Sequence, residues 1–511
     1  MSDHEDGHEH REPTMDDLWA QATEENEPLV RTAALIEISR RRKHEGEYWA
    51  AIGAAQSALD IFEKLNSHEQ VGFSHMQIGR CLQLLKENTD ALESFAKAGE
   101  AFQAVADDAN RGDALRALGD TYEALDKPDE AALVRRDAIN LLAAAESYTR
   151  AGIAALDLGE SLGRAGKQAE ALEVFYQAGE YFKKAEDVIG SIRANDRIAA
   201  ALIDLNRIDE ALSHLWEAVI TADYIEDAER SRWGRYRLGW TMVTAGDHAN
   251  ALTLLEEAVT EYKSVNNYGA AAMADLQRAH AYNALGQFET ASMLYRQVRS
   301  VLKSTNNPGD ALLALVNVGE NQARAGSLLD SEDTFSRCLT EAIEIEDEWM
   351  ERAVRVRFAE VQIMLDKPQA ALEVLDGTDP ESWGDDIADK ARHYNAFAKA
   401  LIGVARGQDA LGKLERVLYL NLSNSLPYEA AKAYEMMATG VSGISDSESN
   451  QLLAQAIALY LASGQEAKAR DLSQRFLPSD NSQAVQMLKR RFDQPSNYEA
   501  EGIPEDGGTG D

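Results

Sequence analysis

QIGRCLQLL, residues 77–85, holds one small residue, Gly79, inside an apolar run. Forty residues on stands Gly119, and the same step then reaches Gly159, Ala199, Gly239, Ala279, Gly319 and Ala359. One step back is Ser39, and after a one-residue deletion the series resumes at Ala398 and Ala438. A second series runs twelve residues behind the first, from Ala51, Ala91, Ala131, Ala171, Ala211, Ala251 and Ala291 to Ser331, Ala371 and Ala410. The text between the markers agrees as well: DALESFAKAGEAF (90–102), EALEVFYQAGEYF (170–182), EALSHLWEAVITA (210–222) and NALTLLEEAVTEY (250–262). A fixed period of this size, held along most of the chain, is the signature of a repeat array.

The physical reading is two antiparallel helices per repeat. Helix A carries the first small residue and helix B the second, because a large side chain at a close crossing would hold the two backbones apart. Seven residues after the helix A marker comes a residue suited to ending a helix: Gly46, Gly166, Gly246, Gly286 and Gly326, with Asn206 in a sixth copy. Both types tolerate left-handed dihedrals. Pro128 and Pro368 follow two residues after this position, where proline fits the first turn of helix B. Polar joints such as NNYG (266–269), NNPG (306–309) and EDEW (346–349) separate helix B from the next helix A.

Composition narrows the class further. The chain has 511 residues, 45% of them hydrophobic and only ten of them proline. That is more than one globular core holds, so it must be several domains or an elongated array, and mostly helical. Net charge is −36, a balance that repels phosphate backbones and anionic lipid; nucleic-acid and membrane partners are not expected. A basic protein or peptide is easier to accommodate. The opening MSDHEDGHEHREP lacks the basic and apolar regions of a secretory signal, no run of about 18 apolar residues occurs, and the cytoplasm is the expected location. Cys81 and Cys338 lie six repeats apart and read as small buried fillers.

With small residue, turn residue and alanine in this order, the array resembles the tetratricopeptide repeat family, which adds an aromatic residue or Leu and a further Ala in helix B. Here these are Phe95/Ala98, Phe175/Ala178, Leu215/Ala218 and Leu255/Ala258. The resemblance covers about residues 29–463 and implies an all-α, right-handed α-solenoid of about eleven helix-turn-helix repeats with terminal capping helices. Its period is longer than the family's usual ~34 residues, so helices or joints must be longer, as in the subgroup resembling kinesin light chains and bacterial Rap-type peptide receptors. Departures are Lys86, Asp126 and Asp366 at the turn, Arg135 in a normally apolar slot, and Gly377 and Pro380 where a helix B should still be running. A shortened helix is expected there, with irregularity over 376–387. Residues 1–14 are expected to be a disordered acidic tail containing His4, His8 and His10, residues 15–28 an N-terminal capping helix, 464–492 two closing helices and 493–511 a disordered acidic tail.

One stretch stands out within the array. RWGRYRLGWTMV, residues 232–243, spaces Trp233, Tyr236 and Trp240 along one helical face. By the resemblance these rings fall at positions that line the concave groove of the family, which binds extended or helical peptides. The same columns supply Arg40, Arg80, Arg116, Asp120, Glu160, Arg193, Asp196, His280, Asn283, Glu320, Glu360, Arg392, Asn395 and Lys399. Basic groups therefore gather towards the two ends, with carboxylates between. No phosphate-binding loop, nucleophile elbow, zinc-protease helix or metal-ligand spacing occurs, so neither catalysis nor a cofactor is expected. The function expected is a scaffold or adaptor that holds another protein or a peptide in the groove. The alternative is a peptide sensor resembling the Rap-type receptors, whose superhelix tightens on its ligand; about 28 residues ahead of the repeats are too few for the N-terminal bundle such receptors carry.

Overall fold

The computed structural model describes residues 13–23, 26–380, 383 and 386–476, all turns and helices. They fall into two compact units, residues 1–261 and 262–511. The first holds α1 (Met15–Gln21), α2 (Pro28–His44), α3 (Tyr48–Lys64), α4 (His68–Leu84), α5 (Asn88–Ala104), α6 (Asp108–Ala124), α7 (Pro128–Ala144), α8 (Tyr148–Arg164), α9 (Gln168–Lys184), α10 (Val188–Asp204), α11 (Ile208–Tyr224), α12 (Ala228–Ala245) and most of α13 (His248–Ser264). The second holds α14 (Tyr268–Ala284), α15 (Phe288–Ser304), α16 (Pro308–Arg324), α17 (Leu328–Glu344), α18 (Glu348–Met364), α19 (Pro368–Leu375), α20 (Ile387–Gly403), α21 (Gly407–Ser423), α22 (Pro427–Gly440), α23 (Asp446–Ala462) and α24 (Glu466–Phe476). Even-numbered helices from α2 to α22 are the A helices and the odd-numbered ones that follow are the B helices. From α1 to α12 and from α14 to α24, each helix packs on its neighbours in sequence.

The longer period comes from the helices, not from the joints. From α2 to α18 nearly every helix has 17 residues, and three residues link each to the next, two after the 18-residue α12, whether the link lies within a repeat or between repeats. Both kinds of link are the same turn. At the end of α2 the Gly46 N–H donates to Lys43 O (3.1 Å) and the Glu47 N–H to Arg42 O (2.9 Å); at the end of α3 Asn66 and Ser67 donate to Glu63 O and Phe62 O (3.0 Å each). This Schellman pattern requires a left-handed residue in the middle. Glycine supplies it at 46, 166, 246, 286 and 326, but Lys86, Asp126 and Asp366 adopt the same conformation, with φ of +63°, +58° and +58°.

The polar joints have a separate cause. Asp107, Asp187, Asp227, Asn267, Asn307, Asp347 and Asp386 stand just before A helices, and each side chain accepts the N–H three residues on. Each thus satisfies one of the amide donors that a helix start leaves open.

The small-residue series marks the crossings of A on B. A Cβ on Gly79 would stand 2.7 Å from the Phe95 ring, and one on Gly239 would stand 2.6 Å from Leu255. The alanines of the second series, such as Ala91, Ala171 and Ala251, are fully buried. Where serine stands in either series its hydroxyl bonds across the crossing: Ser39 donates to Ala51 O and Ser331 to Gly319 O, both at 2.7 Å. Arg135 is buried, 2% exposed, in a slot that other repeats fill with Phe or Leu. Its guanidinium reaches Asp120 and Glu123 (2.7 Å each) and Ser161, and Glu123 is also paired with Arg164.

Two expectations shift. The N-terminal capping helix stops at Gln21, short of residue 28, and the shortened helix near 376–387 is α19, which ends at Leu375 after eight residues. Beyond it Gly377 takes φ +76°. The second closing helix, over 482–492, and both tails lie outside the described residues.

Candidate functional site

In α12, Gly234 and Gly239 face Val219 and Leu255 of the flanking B helices, which turns the aromatic stripe towards the outer side of the A-helix layer. Trp233 and Trp240 are each 47% exposed, but Tyr236 between them is only 6% exposed. Its ring lies 5.6 Å from Trp233 and 6.2 Å from Trp240, centroid to centroid, and burial pushes its phenol above the usual value. The expectation of three groove-lining rings is therefore corrected for Tyr236. Where its column is apolar inside the array it packs one A helix on the next: Met76, Leu156, Val316 and Val356 are buried too, while Arg116 and Asp196 hold the same column in two other repeats. Tyr236 is a pedestal that fixes two accessible indoles.

Around this pair, α10 contributes Arg193, Asp196 and Arg197. Arg193 is exposed and forms no ion pair or hydrogen bond among the described residues. Asp196 has a buried Oδ1 without a hydrogen bond, 4.0 Å from Arg237 of α12, and burial raises its carboxyl above the usual range. Arg197 reaches back to Glu160 of α8 at 2.9 Å. Further along the first unit, Arg116 pairs with Asp157 (3.1 Å), Asp120 with Arg135, and Arg40 with Glu37 of its own helix (2.7 Å), while Arg80 is exposed.

The second unit repeats the pattern. His280 lies 2.8 Å from the Tyr295 hydroxyl, and burial lowers its imidazole below the ordinary value. Asn283 accepts from Arg324 (3.1 Å), Glu320 from Arg357 (2.7 Å) and Glu360 from Arg392 (2.7 Å). A cavity of about 340 Å³ opens beside these last pairs, with Phe335, Val361 and Met364 supplying its apolar wall. Asn395 is half-buried and Lys399 exposed. Thus most charged candidates are rungs between successive A helices rather than groups waiting for a ligand. The missed halves of the rungs are Asp157, Arg197, Arg237, Arg324 and Arg357. Opposite charges 37 or 41 residues apart on helices known to repeat every 40 were the available signal. Trp233, Trp240, Arg193 and Arg80 are the candidates that the ladder leaves uncommitted in the first unit.

Among the described residues, no three His, Cys, Asp or Glu side chains are grouped to hold a metal ion, and no helix is long and apolar enough to cross a membrane.

Comparisons with known proteins agree with this architecture in parts. The family model of the soluble NSF attachment protein, SNAP, matches residues 79–228, and a tetratricopeptide repeat model matches residues 234–264. No curated protein matches the chain. Among solved structures, the apo form of the quorum sensor NprR from B. thuringiensis is 17% identical with a TM-score of 0.48, covering 70% of this chain and 99% of its own. A Rap protein complexed with competence and sporulation factor is 14% identical with a TM-score of 0.37, covering 78% and 99%. The repeats of a putative kinesin light chain from Podosopora anserina are 20% identical with a TM-score of 0.35, covering 38% and 96%. The described residues form an all-α array of helix pairs, within which residues 234–264 match the tetratricopeptide repeat model.

Proposed function

We propose that the protein is a non-catalytic interaction scaffold, holding a segment of another protein on its A-helix face with Trp233 and Trp240 as the anchor. The observation that carries this reading is the half-exposed state of two tryptophans on a buried tyrosine. Leaving two indoles in water costs solvation free energy that burial against a partner would return. Rings already fixed by a pedestal also lose little entropy on binding. Arg193, free and one repeat away in the column of Trp233, offers a planar fork to a backbone carbonyl or carboxylate of the bound segment. The overall charge of −36 draws in a segment with net positive charge at long range.

The test is a pull-down with the wild-type chain, followed by titration of the purified partner against wild type, Trp233→Ala/Trp240→Ala and Tyr236→Phe. The double variant is expected to weaken binding by at least about 2 kcal/mol while leaving helicity unchanged. Tyr236→Phe, which keeps the pedestal, is expected to bind as wild type. Equal affinity of the double variant refutes the anchor.

A further inference from the structure

The opposite, B-helix side of the second unit carries a site that the A-face reading does not use. Between α15 and α17, above the flank of α16, lies a cleft of about 420 Å³. Arg296 and Arg299 enter it from α15, Arg337 from α17 and Gln322 from α16, with Thr334 on its wall.

Comparison across the repeats shows how unusual this lining is. The Arg299 column reads Leu59, Gly99, Ile139, Gly179, Val219 and Val259 in the six repeats before it, and Leu339 in the one after. The Gln322 column reads Leu82, Tyr122, Leu162, Leu202, Met242 and Tyr282 in the six before it and Gln362 in the one after; Thr334 follows Leu254 and Leu294, with His214 and Ser94 the polar residues earlier in its column. Leu59, Ile139, Val219 and Val259 are buried core residues. At these three positions, which the preceding repeat fills with Val259, Tyr282 and Leu294, polar side chains stand together around one opening. The outer cleft between α7 and α9, at the equivalent place four repeats earlier, is smaller, about 220 Å³; it keeps one arginine, Arg136, with Asn140 and Gln177, but has Ile139, Leu158 and Val174 where the second-unit cleft has Arg299, Val318 and Thr334.

Polarity at such positions carries a folding cost unless the groups have partners, and here the partners are incomplete. The Arg299 side chain is 13% exposed; its Nη2 donates to Glu341 at 2.5 Å, but its Nε is buried without a hydrogen bond. Glu341 is also shared with Lys303, at 3.3 Å. Arg296 and Arg337, exposed at the mouth, make no ion pair or hydrogen bond among the described residues. Thr334 donates to Gln322 Oε1 at 2.7 Å, which fixes the Gln322 side chain against the wall.

We propose that this cleft binds a compact oxyanionic group, a phosphate or a carboxylate, between Arg296, Arg299 and Arg337. Guanidinium forks match the paired oxygens of either group. Asp330 and Asp333, at the first turns of α17, also line the cleft. They set the scale of the ligand, because an extended polyanion would meet their charge while a single small anion does not.

Calorimetric titration of the full chain with sodium phosphate and with sodium succinate, against sodium chloride at matched ionic strength, tests this. A saturable one-to-one heat is expected with at least one of the two oxyanions and none with chloride; which of them binds identifies the class. Arg299→Leu, which restores the apolar residue of the other repeats, and the exposed pair Arg296→Gln/Arg337→Gln are each expected to weaken binding at least about tenfold. Arg136→Gln, on the equivalent cleft of the first unit, is expected to change nothing. Absence of saturable heat up to about 10 mM of either anion, or equal binding by the Arg296/Arg337 pair variant, overturns the proposal even if Arg299→Leu fails to fold.

Discussion

His393 couples the irregular ninth repeat to pH. It lies in α20, 1% exposed, with Nε2 2.7 Å from the Thr378 hydroxyl and Nδ1 without a partner. The Trp383 ring packs edge-on at 5.0 Å and the rings of Tyr394 and Phe397 close the pocket. Burial, helped by the nearby Lys413 ammonium and opposed by the Asp379 carboxylate, holds the imidazole down to about 4 against an ordinary 6.5. The folded chain therefore keeps neutral a ring that the unfolded chain protonates. The sign follows: the stability contributed by this group is complete above pH 6.5 and is lost as pH falls from there to about 4. The gap amounts to about 3.4 kcal/mol in all, about 1.4 kcal/mol for each pH unit within the window.

Urea unfolding of wild type and His393→Gln, followed from about pH 7.5 to about pH 4.5, isolates the effect. His75, His214 and His280, which burial also lowers, are present in both chains and drop out of the difference. The glutamine chain is expected to be the less stable near neutrality and to lose its disadvantage steadily as the medium becomes acidic. If the two stability curves instead run parallel with pH, the buried ring is not the neutral species assigned to it, and the argument fails.

Two further perturbations probe the packing. Gly79→Ala should destabilise the chain by about 1–3 kcal/mol, because the new methyl meets the Phe95 ring. Gly99→Ala, with nothing within 4 Å, should gain up to about 1 kcal/mol from helix propensity; thermal melts that move the same way for both would contradict the crossing-point reading. Arg135→Ala should cost about 3–5 kcal/mol by leaving Asp120 and Glu123 without their shared guanidinium. Arg135→Phe recreates the Gly-over-Phe crossing of Gly79 and Phe95 and should stay within about 1.5 kcal/mol of wild type, as read from urea midpoints.

The helix pairs were legible because a crossing point admits only small side chains, and Gly79, Gly159 and their equivalents record each crossing. The uniform turn was not legible. Glu146, Glu186, Glu226 and Glu346 sit at left-handed dihedrals, φ +54° to +58°, where no glycine announces them; the backbone hydrogen bonds of the preceding helix impose the conformation. Trp233 and Trp240 were singled out by their helical spacing and given an open face by the resemblance; both rings are half-exposed. Tyr236 was misplaced because its column is mixed: Arg116 and Asp196 share it with Met76, Leu156, Val316 and Val356, and only packing of one A helix on the next decides which side chain is covered. The charged rungs were seen as single residues, since pairing becomes visible only when neighbouring repeats are laid side by side. The same holds for Arg299, Gln322 and Thr334.

The three-residue Schellman turn, shared by links within and between pairs, restricts how such a chain can grow. Adding one 20-residue helix with its turn would leave every later hydrogen-bonded corner intact yet exchange the two layers downstream. Trp233 and Arg193 would then be separated from each other's side of the sheet of helices. Adding two such helices restores each layer to its place. Duplication in even numbers of helices is therefore the change in length that this architecture accommodates without rewriting its surfaces.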